Sequence, residues 1–204
     1  MSSNPIALKR WSEAKKWVLH QGRKANAEFI CAYDASTGQN LCHTGNLLPG
    51  RVQIPAHVLA HAATNGAEVG VHHNHPNNSA LTAADIQVLA CNPGLRAVVA
   101  HAHDGCDYVA EVLERGNIAK QVVCLETELL RLLRKDTTAA LLHAGGLLTK
   151  LQGHLLCLAL DRTGVIRYRA YLTEDTLSLY ELHQQAIDSW VHAVVLSCPI
   201  IRRQ

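Results

Sequence analysis

The side chains best suited to bind a metal are concentrated in one short stretch of the sequence. Three histidines fall within residues 72–75, and an aspartate, Asp85, follows ten residues after the last of them. Alternate side chains of a β-strand point to the same face, so a strand through this stretch would place His73 and His75 side by side. Two imidazoles and one carboxylate leave a tetrahedral metal ion with an open fourth position, which is the arrangement of a catalytic zinc site.

The local signals predict a strand, a loop and a helix that would bring these ligands together. The stretch 67–71 is short and consists mostly of small or apolar residues, as in a buried strand. Pro76 cannot continue a central strand and marks its end. Thr82 suits the N-cap of a following helix, with Asp85 in its first turn. The same Thr-x-x-Asp pattern is also a capping-box variant that needs no metal, and histidine pairs occur on surfaces without a ligand. The residue types alone therefore leave both interpretations open.

The stretch resembles the metal-binding signature of the JAMM (MPN+) metalloprotease family. The range 73–76 reads His-Asn-His-Pro, as in the bacterial RadC-like branch with its JAB domain, and Thr82 stands where the family usually has serine. The resemblance implies that His73, His75 and Asp85 bind Zn²⁺. It also implies that an upstream glutamate acts on a metal-activated water and that the Thr82 hydroxyl stabilises the oxyanion.

Two glutamates are candidates for the general base. Glu28 opens the strand-like segment 28–33, where the family's catalytic glutamate usually lies. Glu68 is closer in sequence to the histidines, but it lies on the approach to the strand, where a solvent-facing position is expected. A solvated glutamate at a strand end is the ordinary alternative for Glu28. With the resemblance, Glu28 is the predicted base.

A second His-x-His pattern, His101 and His103, follows the predicted strand 95–100 and precedes an Asp-Gly turn. The spacing is the same as in the first pair, so it could also provide ligands. We predict that these two histidines lie near the mouth of the site instead.

The order of predicted elements indicates an α/β (α+β) fold. A helix over 6–21 precedes a hairpin of strands 28–33 and 40–44, a helix over 55–64 and the strand into the histidines. The resemblance implies a JAMM/MPN-type, cytidine-deaminase-like mixed β-sheet flanked by helices. A deaminase itself is excluded, because its His-x-Glu and Pro-Cys-x-x-Cys ligands are missing.

The chain is predicted to divide at residue 117 into a metal-binding domain (1–117) and a helical and αβ segment (118–204). The segment 154–164 parallels 28–38, and 182–199 parallels 59–76. The C-terminal part is therefore predicted to be a truncated repeat without a metal site, with strands at 154–160 and 191–197. Those apolar strands would pair with the first unit or with a second copy of the chain, which predicts a homo-oligomer through the C-terminal half.

Composition restricts the remaining functions. The net charge of +2 and the lack of a basic run with aromatics argue against direct binding of nucleic acid. No apolar run approaches the length of a membrane span, and no apolar signal segment opens the chain. Seven irregularly spaced cysteines predict free thiols in a reducing compartment, so a cytoplasmic location is expected.

Three functions fit the sequence. The first is a zinc peptidase or isopeptidase, whose substrate would be a peptide or a ubiquitin-like protein. The second is a RadC-like accessory protein of a DNA or mobile-element context, and the third is a non-catalytic MPN scaffold. The sequence does not name the substrate.

Overall fold

The computed structural model of the chain describes residues 5–45, 53–144 and 146–200. The predicted loop around Pro49 and Gly50 lies outside these residues. The described part contains one mixed β-sheet of six strands in the order β2-β1-β3-β4-β5-β6. Its strands are β1 (Phe29–Asp34), β2 (Asn40–Gly45), β3 (Val69–His75), β4 (Leu95–Ala102), β5 (Asp107–Val112) and β6 (Ile166–Tyr171). Only β3 and β4 run parallel, and the other neighbouring strands are antiparallel.

Helices cover both faces of the sheet. On one face α1 packs against β1 and β3, and Ala14 and Val18 meet Cys31 and Tyr33 there. On the other face α3 and α6 contact the strands, while α8 packs on α4 and α6. The helices are α1 (Pro5–Ala25), α2 (Ala56–Ala62), α3 (Ala83–Cys91), α4 (Ile118–Leu133), α5 (Thr137–Ala144), α6 (Leu147–Arg162), α7 (Glu174–Leu182) and α8 (Gln184–Ser197).

Strand β3 is buried along its whole length, because helices lie over both of its faces. In the antiparallel register with β1, Ile30 lies opposite His73. Residues with the parity of His73 therefore face the α3 side of the sheet, and residues with the parity of His72 face α1. This division separates two polar clusters among the described residues. One includes His73 and His75, and the other includes His72 and His101.

The prediction of an α/β chain with a mixed sheet flanked by helices is confirmed. The predicted hairpin, the strand into the histidines and the helix after Thr82 are all present. No helix among the described residues is both long and apolar enough to cross a membrane.

The predicted C-terminal strands are wrong. Residues 154–160 lie inside α6, and residues 191–197 lie inside α8. The segment that was predicted to repeat strand 28–33 is therefore a helix, and the two segments do not share a structure. Helix α6 is buried on most sides, so its run of leucines lacks the one-sided spacing that marks a helix, and a short apolar run was mistaken for a strand.

The C-terminal segment does contribute one strand, β6, which the sequence analysis did not predict. It pairs antiparallel with β5 and forms an edge of the sheet. The predicted boundary at residue 117 falls between β5 and α4, and both the sheet and the main hydrophobic core continue across it.

One cysteine prediction is also corrected. Cys124 of α4 and Cys198, just after α8, form a disulfide, whereas the other five cysteines are free thiols. The two partners are 74 positions apart in sequence, so no spacing motif marks them.

Gly153 on α6 allows this helix to lie against the loop that leads into α3. A Cβ atom at this position would lie 2.3 Å from the backbone oxygen of Leu81. We expect Gly153→Ala to lower the free energy of unfolding by about 1–3 kcal/mol, the usual cost of overpacking. Urea denaturation measures this, with Gly116→Ala as control, because the nearest atom to a Cβ there is 3.9 Å away. Equal stability of the two variants would contradict the packing argument.

Candidate metal centre

The end of β3 and the start of α3 bring His73, His75 and Asp85 together. The two histidines are the alternate residues that close the strand, and both rings are buried. The strand ends before Pro76, and Asn78 then adopts a left-handed conformation with φ 59° that turns the chain. Thr82, at the end of this loop, is the N-cap of α3. Asp85 lies in the first turn of the helix and faces the histidines.

The ligand atoms are close enough to touch a single ion. Nε2 of His73 lies 2.8 Å from Nε2 of His75 and 3.3 Å from Oδ1 of Asp85, and Nε2 of His75 lies 3.8 Å from Oδ2 of Asp85. Two ligands bound at about 2.1 Å from one zinc ion can be at most roughly 4.2 Å apart. All three printed separations satisfy this limit. Across the described residues, this is the single group of three or more His, Cys, Asp or Glu side chains with such spacing.

The hydrogen bonding of His75 engages its Nδ1 and leaves its Nε2 available as a ligand. Its Nδ1 lies 3.0 Å from the carbonyl oxygen of Ser79, so Nδ1 carries the proton and donates it to that oxygen. Nε2 of His75 then has a free lone pair directed at His73. At 2.8 Å, Nε2 of His73 can either donate a proton to this lone pair or bind the same metal ion as Nε2 of His75. The donor set and this close approach both fit zinc.

The charges within the cluster shift the pKa values of its members in opposite directions. Burial and the adjacent His73 lower the pKa of His75 to about 4. Burial also lowers the pKa of His73, but the Asp85 carboxylate and, more weakly, Glu28 outweigh it, and the net pKa is raised. Burial raises the pKa of Asp85, yet the two histidines hold it well below its usual value. The carboxylate is therefore ionised, and it stabilises a positive charge beside it, either on His73 or on a bound metal ion.

Asp85 takes part in a capping box and also lies beside the two histidines of the candidate metal centre. Its Oδ2 accepts hydrogen bonds of 2.7 Å from the backbone N–H and from the hydroxyl of Thr82, and Oδ1 faces His73. Asp85 N–H donates to the Thr82 hydroxyl at 3.3 Å, which completes a capping box. Helix capping thus fixes the orientation of the candidate ligand. Because the Thr82 hydroxyl donates its proton to Asp85 here, its predicted oxyanion role stays a prediction.

We expect Thr82→Ala to lower the free energy of unfolding by about 1 kcal/mol, because the α3 N-cap is lost. The affinity for zinc should fall as well, because Asp85 loses the hydroxyl that orients it. Thr82→Ser keeps the hydroxyl and should restore both quantities. Chemical denaturation and zinc titration of the three proteins measure this, and a Ser variant that behaves like Ala would contradict the capping account.

The structure places Glu28 on the same wall as the histidines. It lies just before β1, and extending the β1–β3 register sets it opposite His75. It lines the same cavity as both histidines and Asp85, and its charge contributes to the raised pKa of His73. Glu68 precedes the other end of β3 and is exposed. Five residue steps along the strand, at about 3.3 Å each, separate it from His73, so it cannot reach the centre.

The cavity over the centre has a volume of about 760 Å³. This is within the range of roughly 300–1,000 Å³ that is usual for ligand sites. Its walls also carry apolar side chains of β1, β3, β4, α2 and α3, among them Ile30, Leu59, Val88 and Val98, together with the polar residues Gln53, Asn92 and Glu126. A ligand here would meet both polar groups and apolar surface.

The second His-x-His pattern lies on the opposite face of the sheet, so its predicted place near the site mouth is wrong. Nδ1–H of His101 donates to Asp107 at 2.7 Å, and Lys15 donates to the other carboxylate oxygen at 2.6 Å. Nδ1–H of His72 donates to Nε2 of His101 at 2.9 Å, and the Tyr33 hydroxyl lies 3.3 Å from Nε2 of His72. Every polar atom in this chain of contacts has a partner when both histidines are neutral.

The packing around this second cluster favours the neutral form of His72 and His101. Burial lowers the pKa of both His72 and His101, although Asp107 partly opposes this for His101. Trp11 of α1 lies edge-on to both rings, with centroids 4.7 and 5.9 Å away. His103 also faces this side, where its Nε2 lies 3.0 Å from the side-chain amide of Asn74. The cluster therefore anchors α1 to the face of the sheet opposite the candidate metal centre.

Comparison of the chain with family models, with curated proteins and with solved structures finds no match.

Proposed function

We propose that the protein is a zinc-dependent hydrolase of the JAMM type that cleaves peptide or isopeptide bonds. The observation that carries this proposal is the meeting of two histidines and one aspartate in a cavity whose wall also holds Glu28. His73, His75 and Asp85 would hold the ion. When bound, zinc would polarise the scissile carbonyl and lower the pKa of the attacking water to about 7.

Glu28 is the proposed general base. It takes a proton from the water that attacks the carbonyl, and it passes this proton to the amine that leaves. Its place on the cavity wall beside the histidines supports this role, and the distance of Glu68 from the centre removes the competing candidate. The Thr82 hydroxyl, at the rim of the same cavity, is the proposed donor to the oxygen on which negative charge develops.

The apolar walls support a substrate with an extended chain. A peptide segment, including the tail of a ubiquitin-like protein, offers a scissile amide for the polar end of the cavity and side chains for the apolar surface. A RadC-like accessory role or a scaffold role would keep the fold and the metal without needing Glu28. A homo-oligomer through the C-terminal half and a cytoplasmic location stay predictions.

Incubating the zinc-loaded protein with a peptide library and with isopeptide-linked conjugates tests the proposal. Mass spectrometry detects the new amino termini. We expect the protein to cleave a substrate and to stop cleaving it when zinc is chelated. The His75→Ala variant should not cleave it. Products that are equally abundant with the His75→Ala variant would come from a contaminant. If no zinc-dependent product forms, the result contradicts the proposal and favours a non-catalytic role.

A further inference from the structure

A second, smaller cavity opens beside the metal centre and has no role in the chemistry described above. Its volume is about 190 Å³, below the usual range for a whole ligand but suited to one side chain. It shares Thr82, Ala83 and Glu126 with the cavity over the metal centre, so the two spaces adjoin. A substrate in the larger cavity could therefore extend one side chain into the smaller one.

The lining of the smaller cavity combines polar and apolar residues. Hydroxyl and carboxamide groups come from the loop before α3 and from α6, and leucines come from α4 and α6. These residues are Asn77, Ser79, Thr82, Thr149, Gln152, Leu129 and Leu156. Among the described residues that line it, Glu126 is the one ionisable side chain. An occupant would thus meet a single negative charge together with hydrogen-bonding groups.

Nothing in the described part of the chain neutralises Glu126. It is half-buried on α4, and its carboxylate has neither a hydrogen-bond partner nor an ion-pair partner among the described residues. The residues three and four positions away along the helix are Val122, Val123, Leu129 and Leu130, so no basic side chain on α4 can reach it by helical spacing. A carboxylate half-withdrawn from water is better stabilised when a cation pairs with it.

We infer that Glu126 binds a cationic side chain of the substrate, the ammonium of a lysine or the guanidinium of an arginine. The aliphatic stem of such a side chain would pack on the leucines of the lining, and its charged end would reach Glu126 and the hydroxyl and carboxamide groups of the same cavity. This inference deepens the proposed function, because it gives the hydrolase a preference for a basic residue next to the bond that is cleaved.

Binding of small probes tests the subsite independently of hydrolysis. N-acetyl-lysine methylamide, its arginine counterpart and the neutral N-acetyl-norleucine methylamide are titrated into the full-length ¹⁵N-labelled protein, and NMR shifts of the Gln152 side-chain amide are followed. We expect the two cationic probes to shift this signal and norleucine to bind at least about tenfold more weakly. Glu126→Gln should weaken cation binding by about tenfold or more, since hydrogen bonds to charged groups are the stronger ones.

Glu128→Gln is the matched control. Glu128 lies two residues along the same helix, pairs with Arg131 at 2.8 Å and does not line either cavity. It should leave binding unchanged, and unaltered zinc content and thermal stability of Glu126→Gln would show that the variant is folded. Equal binding of norleucine and lysine probes, unchanged binding by Glu126→Gln, or shifts confined to other residues would each overturn the inference.

The outcomes separate this inference from the proposed function. Cation binding through Glu126 without any zinc-dependent cleavage would sustain the subsite and contradict the hydrolase. Zinc-dependent cleavage with no preference for lysine or arginine near the cleaved bond, and no cation binding, would sustain the hydrolase and overturn the subsite.

Discussion

The purified protein is expected to bind about one zinc ion per chain, and His75→Ala is expected to reduce this to nearly zero. The alanine variant leaves only His73 and Asp85 as ligands, and two ligands hold zinc far more weakly than three. Asp85→Asn should have a similar effect, because a neutral amide replaces the ionised carboxylate. Elemental analysis after dialysis against a weak chelator measures the zinc content.

His192→Ala is the control for a general effect of removing a histidine. His192 lies on α8 and is exposed, and it does not line the cavity over the metal centre. It should keep the full zinc content. Zinc retained by both His75→Ala and Asp85→Asn would contradict the ligand assignment, and zinc lost from His192→Ala would point to a different site.

The second large effect is expected for Glu28→Gln, which separates an enzyme from a scaffold. The substitution keeps the shape of the side chain and removes the base. Zinc binding should be unchanged, while zinc-dependent cleavage should fall by about 10²–10⁴-fold, the usual contribution of a general base. The measurement is the rate of cleavage of the best peptide from the library, together with the zinc content of the same preparation.

Glu68→Gln serves as the matched control, because Glu68 is exposed and lies near the opposite end of β3. Its cleavage rate should equal that of the unaltered protein. Full activity of Glu28→Gln would remove Glu28 from the mechanism. Loss of zinc from the same variant would mean that Glu28 supports the metal instead of the proton transfer.

The meeting of the three candidate ligands could be predicted from sequence because local signals position them. Alternation along one strand places His73 and His75 on one face, Pro76 ends that strand, and Thr82 begins the helix that carries Asp85. Each of these rules operates within a few residues.

The position of His101 could not be predicted in the same way, because it depends on strand register. His101 lies beside Asn74 in the parallel pair of β3 and β4, so it shares the face of Asn74 and not that of His73. A shift of the register by one residue would reverse this. The same His-x-His spacing therefore serves two purposes on opposite faces of one sheet.

The C-terminal helices show what the sequence analysis missed. In α8 the buried residues Ile187, Trp190, Val191 and Val194 recur at three- and four-residue spacing, which is the helical signal. The supposed repeat of 59–76 predicted a strand at 191–197 instead. In α6 burial on most sides removes that signal, and only the tertiary packing decides between helix and strand.

An anomalous difference map, collected at the zinc absorption edge from crystals of the zinc-loaded protein, tests the central claim most directly. The account predicts one strong peak in contact with Nε2 of His73, Nε2 of His75 and the Asp85 carboxylate, on the wall shared with Glu28. A peak beside His103 or at a cysteine, with none at His73 and His75, would contradict it.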